Sequence, residues 1–454
     1  TDKAAPAAPQ PPAPSVPAVS PASPDVEKRL RELEETVRRQ QELIQRLEGT
    51  VELLRKPAPP TPPAADMQPK PKPAAPEGFV IQGPDSGFRL RLRGLIQADA
   101  RAFPSEGGRT GTESFLVRRI RTVFSGTVGR HAEFMIQPIF DENRLGVLDA
   151  YVDVRQAPQL QFRFGLFKTP FSLERLQPAA DLHLIERSIA QNLAPNRDTG
   201  FMVHGDTLKG RLSYALAVLN GAPDAGNIYG DTGRGKDFAG RIFARPFTAQ
   251  KGRFLQGLGL GVAATYGSRD ETFQSIFRTA AREPFFLYGA GTLYAGDVVR
   301  IAPQFYHFYR QFGVMGEAYL NRERLSRAGM VAPVNHRGWF LQGTYVLTGE
   351  NAGFRSLMPR RPFDPARGHW GAVELALRYS QFRADQDAFR LELADPTVSA
   401  RRADAWTFGV NWYLTNLLKF QVNYERTDFN RAITFRTGPR DREDIVLSRF
   451  QLAF

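Results

Sequence analysis

The 454-residue chain contains no cysteine, which excludes disulfide staples, thiolate metal sites and cysteine nucleophiles. No run of about eighteen apolar residues occurs, so a membrane-spanning helix is excluded. A membrane barrel is not, because its strands need only about ten alternating residues each. No segment at Thr1 joins positive charge to an apolar core, so the sequence reads as a mature form if the protein is exported. The six histidines (131, 183, 204, 307, 336, 369) fall at no metal-ligand spacing. Neither a Gly-x-Ser-x-Gly elbow nor a phosphate-binding loop is present. An enzyme, a cofactor and a metal centre are therefore not expected. Lysine is scarce as well, with ten against fifty arginines.

The charge that is present is unevenly placed. Net charge is +13, and residues 1–76 carry eleven basic and ten acidic side chains, so +12 belongs to residues 77–454. Such a balance suits nucleic acid, a membrane surface or anions. The strand pattern described next favours a membrane, and no nucleic-acid partner is expected.

Residues 1–22 are mostly Ala and Pro and cannot bury enough surface to fold. A second Pro-rich linker covers residues 57–76. Between them, residues 23–56 read as one helix, begun by Ser23-Pro24-Asp25 and stopped at Lys56-Pro57. Val26, Leu30, Leu33, Val37, Gln40, Ile44, Leu47, Val51 and Leu54 recur at 3-4 spacing, the stripe of a coiled coil with one polar exception. Arg29 and Glu34, at successive g and e positions, suit parallel self-association.

From residue 77 to 454 the pattern becomes short alternating segments divided by Gly, Pro, Asp and Asn. The last segment alternates Phe454, Leu452, Phe450, Ser448 and Val446 with Ala453, Gln451, Arg449 and Leu447. Trp406, Phe408, Val410, Trp412 and Leu414 alternate with Thr407, Gly409, Asn411 and Tyr413. About sixteen such segments can be counted, the spacing of a membrane barrel. Aromatic residues at segment ends (Trp406, Trp412, Tyr413, Tyr424) suit interfacial girdles. The polar rows hold more charge than a packed core accepts, whereas a water-filled lumen accepts it. The fold class expected is all-β: a sixteen-stranded antiparallel transmembrane β-barrel with an N-terminal α-helical coiled coil.

Several motifs, in order, resemble the phosphate-selective porin family (porins O and P). They are Gly94-Leu95-Ile96-Gln97-Ala98-Asp99, Arg118-Arg119, residues 165–174 (Gly165-Leu166-Phe167-Lys168 through Glu174), Glu186-Arg187-Ser188, Leu347-Thr348-Gly349-Glu350, residues 374–380 and Gly409-Val410-Asn411-Trp412-Tyr413. The resemblance implies an outer-membrane homotrimer contacting lipid and passing anions such as phosphate or polyphosphate. It also implies an inward third loop, here residues 172–199, with a short helix inside Ala179–Asn192. The N-terminal segment would be periplasmic, with reach enough to touch peptidoglycan as a tether.

Arginine suits a phosphate pore because its planar fork donates two parallel charge-assisted hydrogen bonds and keeps its proton. The resemblance places the anion constriction at Arg175, Arg187, Arg119 and Lys168. Pairing with Glu174, Asp181 or Glu186 to hold the loop is the alternative role for Arg175 and Arg187. Alternation puts Arg119 and Arg121 on the lumen face and Arg118 on the other. Arg89, Arg91 and Arg93 share one face, as do Arg241 and Arg245; with Arg121, Arg278, Arg282 and Arg378 they are the expected lumen arginines. Asp99, Glu133, Asp149 and Asp153 are candidate partners for them. Leu95 stands where the family can carry an arginine, and the ladder around Arg278 and Arg282 is sparse, so general anion selectivity is expected above strict phosphate selectivity.

Overall fold

The computed structural model describes residues 35, 37–42, 45, 78–83, 87–141, 144–230, 233, 235–250, 252–270 and 275–454. The chain divides into two units, Thr1–Lys72 and Pro73–Phe454. In the first unit, residues 37–42 are helical, and Arg39 lies 3.8 Å from Glu35 one helical turn away. Of the heptad positions only Val37 and Gln40 fall among the described residues. The rest of the stripe and both Pro-rich segments lie outside them.

In the second unit a short strand, β1 (Phe79–Gln82), precedes a barrel. The barrel begins with β2 (Phe88–Ala102), β3 (Ser114–Val128), β4 (Ala132–Asp141), β5 (Arg144–Ala157) and β6 (Leu160–Lys168). It continues with β7 (Arg197–Thr207), β8 (Leu212–Leu219), β9 (Asp237–Ala244) and β10 (Leu258–Arg269). A hairpin, β11 (Ile276–Arg278) and β12 (Pro284–Leu287), stands in the following loop. The wall resumes with β13 (Leu293–Tyr309), β14 (Phe312–Arg327), β15 (Met330–Val346) and β16 (Ala372–Arg383). It ends with β17 (Arg402–Tyr413), β18 (Leu418–Phe435) and β19 (Gly438–Ala453). Each wall strand pairs antiparallel with its neighbours, and β19 returns to β2, closing sixteen strands.

Alternation sorts the side chains in the reverse of a soluble sheet. Outward rows are apolar and bare, with Phe115 92% and Leu145 76% exposed. Inward rows are polar and covered, including Gln97, Asn321, Glu374, Asn411 and Arg449. Apolar surface on this scale is stable against hydrocarbon, not water. Trp406 and Tyr424 lie on the outward face, whereas Tyr413 turns inward, buried, and donates to Glu374 at 2.9 Å. It is therefore no part of a girdle.

Two of the wall's register shifts bear on the lumen. The β2–β3 register passes from Gln97↔Arg119 to Ala98↔Val117, leaving Arg118 as the extra residue. Arg118 and Arg119 consequently both turn inward and are buried, which corrects the outward placement of Arg118. The same shift between β4 and β5 turns Leu148 and Asp149 inward together.

The barrel seam is built around the last residue. The Phe454 N–H donates to the Gly94 carbonyl at 3.0 Å, and the Gly94 N–H donates back at 2.8 Å. A side chain at Gly94 would collide with the Phe454 ring. β2 runs on past this terminus, and β1 takes up its free edge from Phe79↔Leu92 to Gln82↔Arg89. Phe79 meets Phe454 edge-on at 5.9 Å. Gly94→Val should therefore lower barrel stability by about 1–3 kcal/mol. Gly343→Val, where a side chain meets nothing within 4 Å, should be neutral. The temperature at which the folded band disappears on semi-native gels measures both.

The interior is filled unevenly. Phe277, Phe285 and Phe286 pack with Phe340 and Phe382 of the wall and with Ile189 and Leu193 of the loop joining β6 to β7. This apolar plug occupies the β13–β18 side. A cavity of about 1440 Å³ remains, lined mainly by β2–β9 and by that loop.

Candidate pore constriction

The β6–β7 loop, residues 169–196, folds into the barrel. It ends earlier than expected, because β7 begins at Arg197. In place of one helix within Ala179–Asn192 it has a single α-turn, Leu173–Leu176, and 3-10 turns at Ala179–Asp181 and Ile189–Leu193. Ser172 caps the first turn by accepting from the Arg175 N–H at 3.1 Å. Pro178 lacks the N–H needed to prolong it.

Carboxylates and amides bolt the loop to the wall. Glu317 of β14 accepts the Leu173 N–H at 2.9 Å and the Glu174 N–H at 3.1 Å. Glu174 pairs with Arg378 of β16 at 3.2 Å and accepts the Ser188 N–H at 2.9 Å. The Ile185 N–H donates to Asn423 at 2.6 Å. Lys419 donates to the Ala180 and Leu182 carbonyls at 3.0 and 3.1 Å. Glu186 lies 2.8 Å from Arg118, 3.6 Å from Arg119 and 3.3 Å from Arg449.

These anchors divide two Glu-Arg dipeptides in the same way. Glu174 and Glu186 pair with arginines of the wall, Glu186 at the cavity's edge, while Arg175 and Arg187 line the cavity with Lys168. The three cations gather on backbone carbonyls. Lys168 donates to Leu176 and Gln177 at 3.2 and 3.3 Å. Arg187 donates to Glu174 and Gln177 at 3.1 and 2.8 Å. Arg175 donates to Gln191 at 3.3 Å, and its Nε has no acceptor. Among the described residues none of the three forms a salt bridge with a carboxylate. Burial, then repulsion from Arg187, brings the Arg175 guanidinium down to about 9. Burial brings Arg187 down to about 10 despite the opposing pull of Glu174.

The other expected residues fall into five groups. Arg93, Arg121, Arg241, Arg278 and Arg282 line the cavity. Arg121 pairs with Asp141, and Arg241 donates to Gln304 at 2.9 Å. Arg119 also borders the cavity but is spent on Gln97 at 2.7 Å and on Glu186, which makes it an anchor of the loop. Arg89 and Arg91 continue the Arg93 row beyond the cavity, beside β1. Arg245 sits past the end of β9 and pairs with Asp206 at 3.4 Å. Arg378 faces the interior but is covered by the loop and tied to Glu174 and Glu425, so it is not a lumen arginine. The expected partner acids serve other arginines: Asp99 holds Arg449, Asp149 holds Arg197, Asp153 holds Arg163 and Glu133 holds Arg155.

Sequence reasoning missed Arg163, Arg197, Arg355 and Lys419 in the cavity lining. Arg163 and Lys419 alternate with apolar neighbours (Phe162 and Phe164, Leu418 and Phe420), so their inward parity could have identified them. Arg355 comes from the long 347–371 connection, which carries no periodicity. In all, fourteen basic and six acidic side chains line the cavity.

A closed sixteen-stranded barrel, apolar outside and charged inside, with a loop folded into its lumen, defines an outer-membrane porin, a channel protein. The family model for "Phosphate-selective porin O and P" matches residues 88–454. The chain belongs to that family. It is 24% identical to Porin O of Pseudomonas aeruginosa over 418 residues, covering 83% of this chain and 91% of that one. Among solved structures, the outer membrane channel DcaP of Acinetobacter baumannii shares the fold with a TM-score of 0.51 at 11% identity, over 83% of this chain and 99% of that one. Salmonella typhi OmpF, solved with daunomycin, gives 0.51 at 12% identity, over 83% and 100%.

Proposed function

We propose that this porin is a passive channel selective for anions, with phosphate and polyphosphate among its permeants. The observation that carries the reading is the group of Lys168, Arg175 and Arg187 on one carbonyl framework, without a salt bridge to any carboxylate among the described residues. An anion there replaces its hydration shell with charge-assisted donors, while the neighbouring Glu174 and Glu186 are neutralised by arginines of the wall. Arg93, Arg121, Arg241, Arg278 and Arg282 extend the positive path on either side. Leu95, which borders the same cavity, favours broad anion selectivity over strict phosphate selectivity. Reversal potentials in a potassium chloride gradient across a planar bilayer test this. Chloride should permeate better than potassium, and phosphate should block the chloride current. Cation selectivity would overturn the reading.

The rim carrying Phe454 is read as periplasmic, the outward apolar belt as lipid-facing and the assembly as a homotrimer. Residues 1–76 then form a periplasmic extension whose heptad stripe suits a parallel coil, three-stranded if it follows the trimer, able to reach peptidoglycan.

A further inference from the structure

On the outward face, at the rim away from Phe454, three arginines lie side by side across three strands. Arg337 of β15 is directly opposite Arg383 of β16, and Arg383 is directly opposite Arg402 of β17. All three are exposed. Directly opposed residues stand about 5 Å apart at Cβ, and like charges there repel. Among the described residues Arg337 and Arg383 have no carboxylate partner. Arg402 has one, Asp404, at 2.7 Å. The nearby Asp385 is occupied by Asn335, at 2.7 Å from its N–H. Three adjacent guanidiniums thus share one neighbouring acid.

Their depth is set by what lies beneath. On the same outward faces toward the other rim come first Trp339, Gln381 and Asp404, two residues or about 7 Å along, and then Tyr379 and Trp406, two residues further. Tyr379 packs at 5.2 Å from Trp339 and 4.8 Å from Trp406. Below these rings the outward row turns apolar, with Leu341, Leu377 and Phe408 exposed. Aromatic rings between an apolar belt and a polar edge mark the headgroup boundary of a bilayer. The arginines stand one step outside Trp339 and two outside Tyr379 and Trp406, on the headgroup side, where a lipid phosphate lies.

We propose that Arg337, Arg383 and Arg402 form a binding site for the phosphomonoester headgroup of an outer-leaflet glycolipid. A dianionic phosphate relieves the repulsion of the row, and each guanidinium can offer it two parallel donors. The site is on the opposite side of the wall from the lumen, so it is independent of conduction. Its leaflet rests on the orientation proposed above.

The test uses the full chain in detergent micelles titrated with bisphosphorylated lipid A, read by native mass spectrometry and by tryptophan emission. The signal is local, since Trp339 and Trp406 are two of only four tryptophans. R337Q/R383Q/R402Q should weaken binding about fivefold per arginine, roughly a hundredfold in all. Chloride conductance of the variant should be unchanged, which also shows that it folds. R337K/R383K/R402K should keep most of the affinity. Equal binding of dephosphorylated lipid A or of phosphatidylglycerol would overturn the proposal, as would full affinity in the glutamine variant. Competition by millimolar inorganic phosphate equal to that by the lipid would assign the row to free phosphate and likewise overturn it.

Discussion

Replacing Arg175 and Arg187 together by glutamine should raise the phosphate concentration that half-blocks chloride current by about a hundredfold, from the loss of two charge-assisted contacts of about 1.5 kcal/mol each. Each single variant should lose roughly tenfold. The two are coupled, because Arg187 lies on the carbonyls of Glu174 and Gln177 and Arg175 stands beside it. A double-mutant cycle should show this coupling as a departure of no more than a few-fold from the hundredfold product. A purely structural role predicts something else, namely loss of stability. Both guanidiniums have their pKa lowered in the folded protein. A base so shifted makes its charged form unfavourable to folding at neutral pH. Removing the charge should leave thermal stability equal or slightly higher. Arg245→Gln, at the rim and paired with Asp206, should change neither readout. Unchanged phosphate block in the double variant would remove both residues from the constriction.

How legible this was depends on which residues are considered. The barrel could be read because inward and outward rows alternate with period two, and the wall keeps that parity through most of its strands. The extra residue at Arg118 could not be read: the bulge lies between two arginines, so a one-residue slip leaves no mark on the pattern. Arg378 obeyed its parity and still missed the pore, since covering it is a tertiary act of the β6–β7 loop. The dipeptides Glu174-Arg175 and Glu186-Arg187 were visible as candidates. Which member would face the wall was settled by Glu317, Arg378, Arg118 and Arg449, all distant in sequence. β1 escaped notice because four residues are too few to show alternation.

Glu186→Gln should be the most damaging single change in the loop. Burial alone would raise the Glu186 pKa, but Arg118, Arg119 and Arg449 outweigh burial and hold it well below its ordinary value of 4.5. Arg449 is itself fixed at 2.7 Å to Asp99. Glu186 therefore joins β19 to β3 across the seam where the barrel closes. Neutralising it removes the carboxylate that Arg118, Arg119 and Arg449 share in a buried site, at a cost of about 3–5 kcal/mol. The loop should leave this wall, unit conductance should rise, and phosphate block should weaken as Arg187, its next residue, moves with it. The pH dependence has a definite sign. A carboxylate with a depressed folded-state pKa contributes stability that is present above its unfolded value and is lost as pH falls through the folded one. Wild-type conductance should accordingly stay constant from pH 7 to about 4.5 and rise only at lower pH, whereas E186Q should be open throughout that range. Single-channel recordings of both proteins across the range decide this. A closed, phosphate-blocked E186Q channel would show that Glu317 and Glu174 hold the loop without the Glu186 anchor.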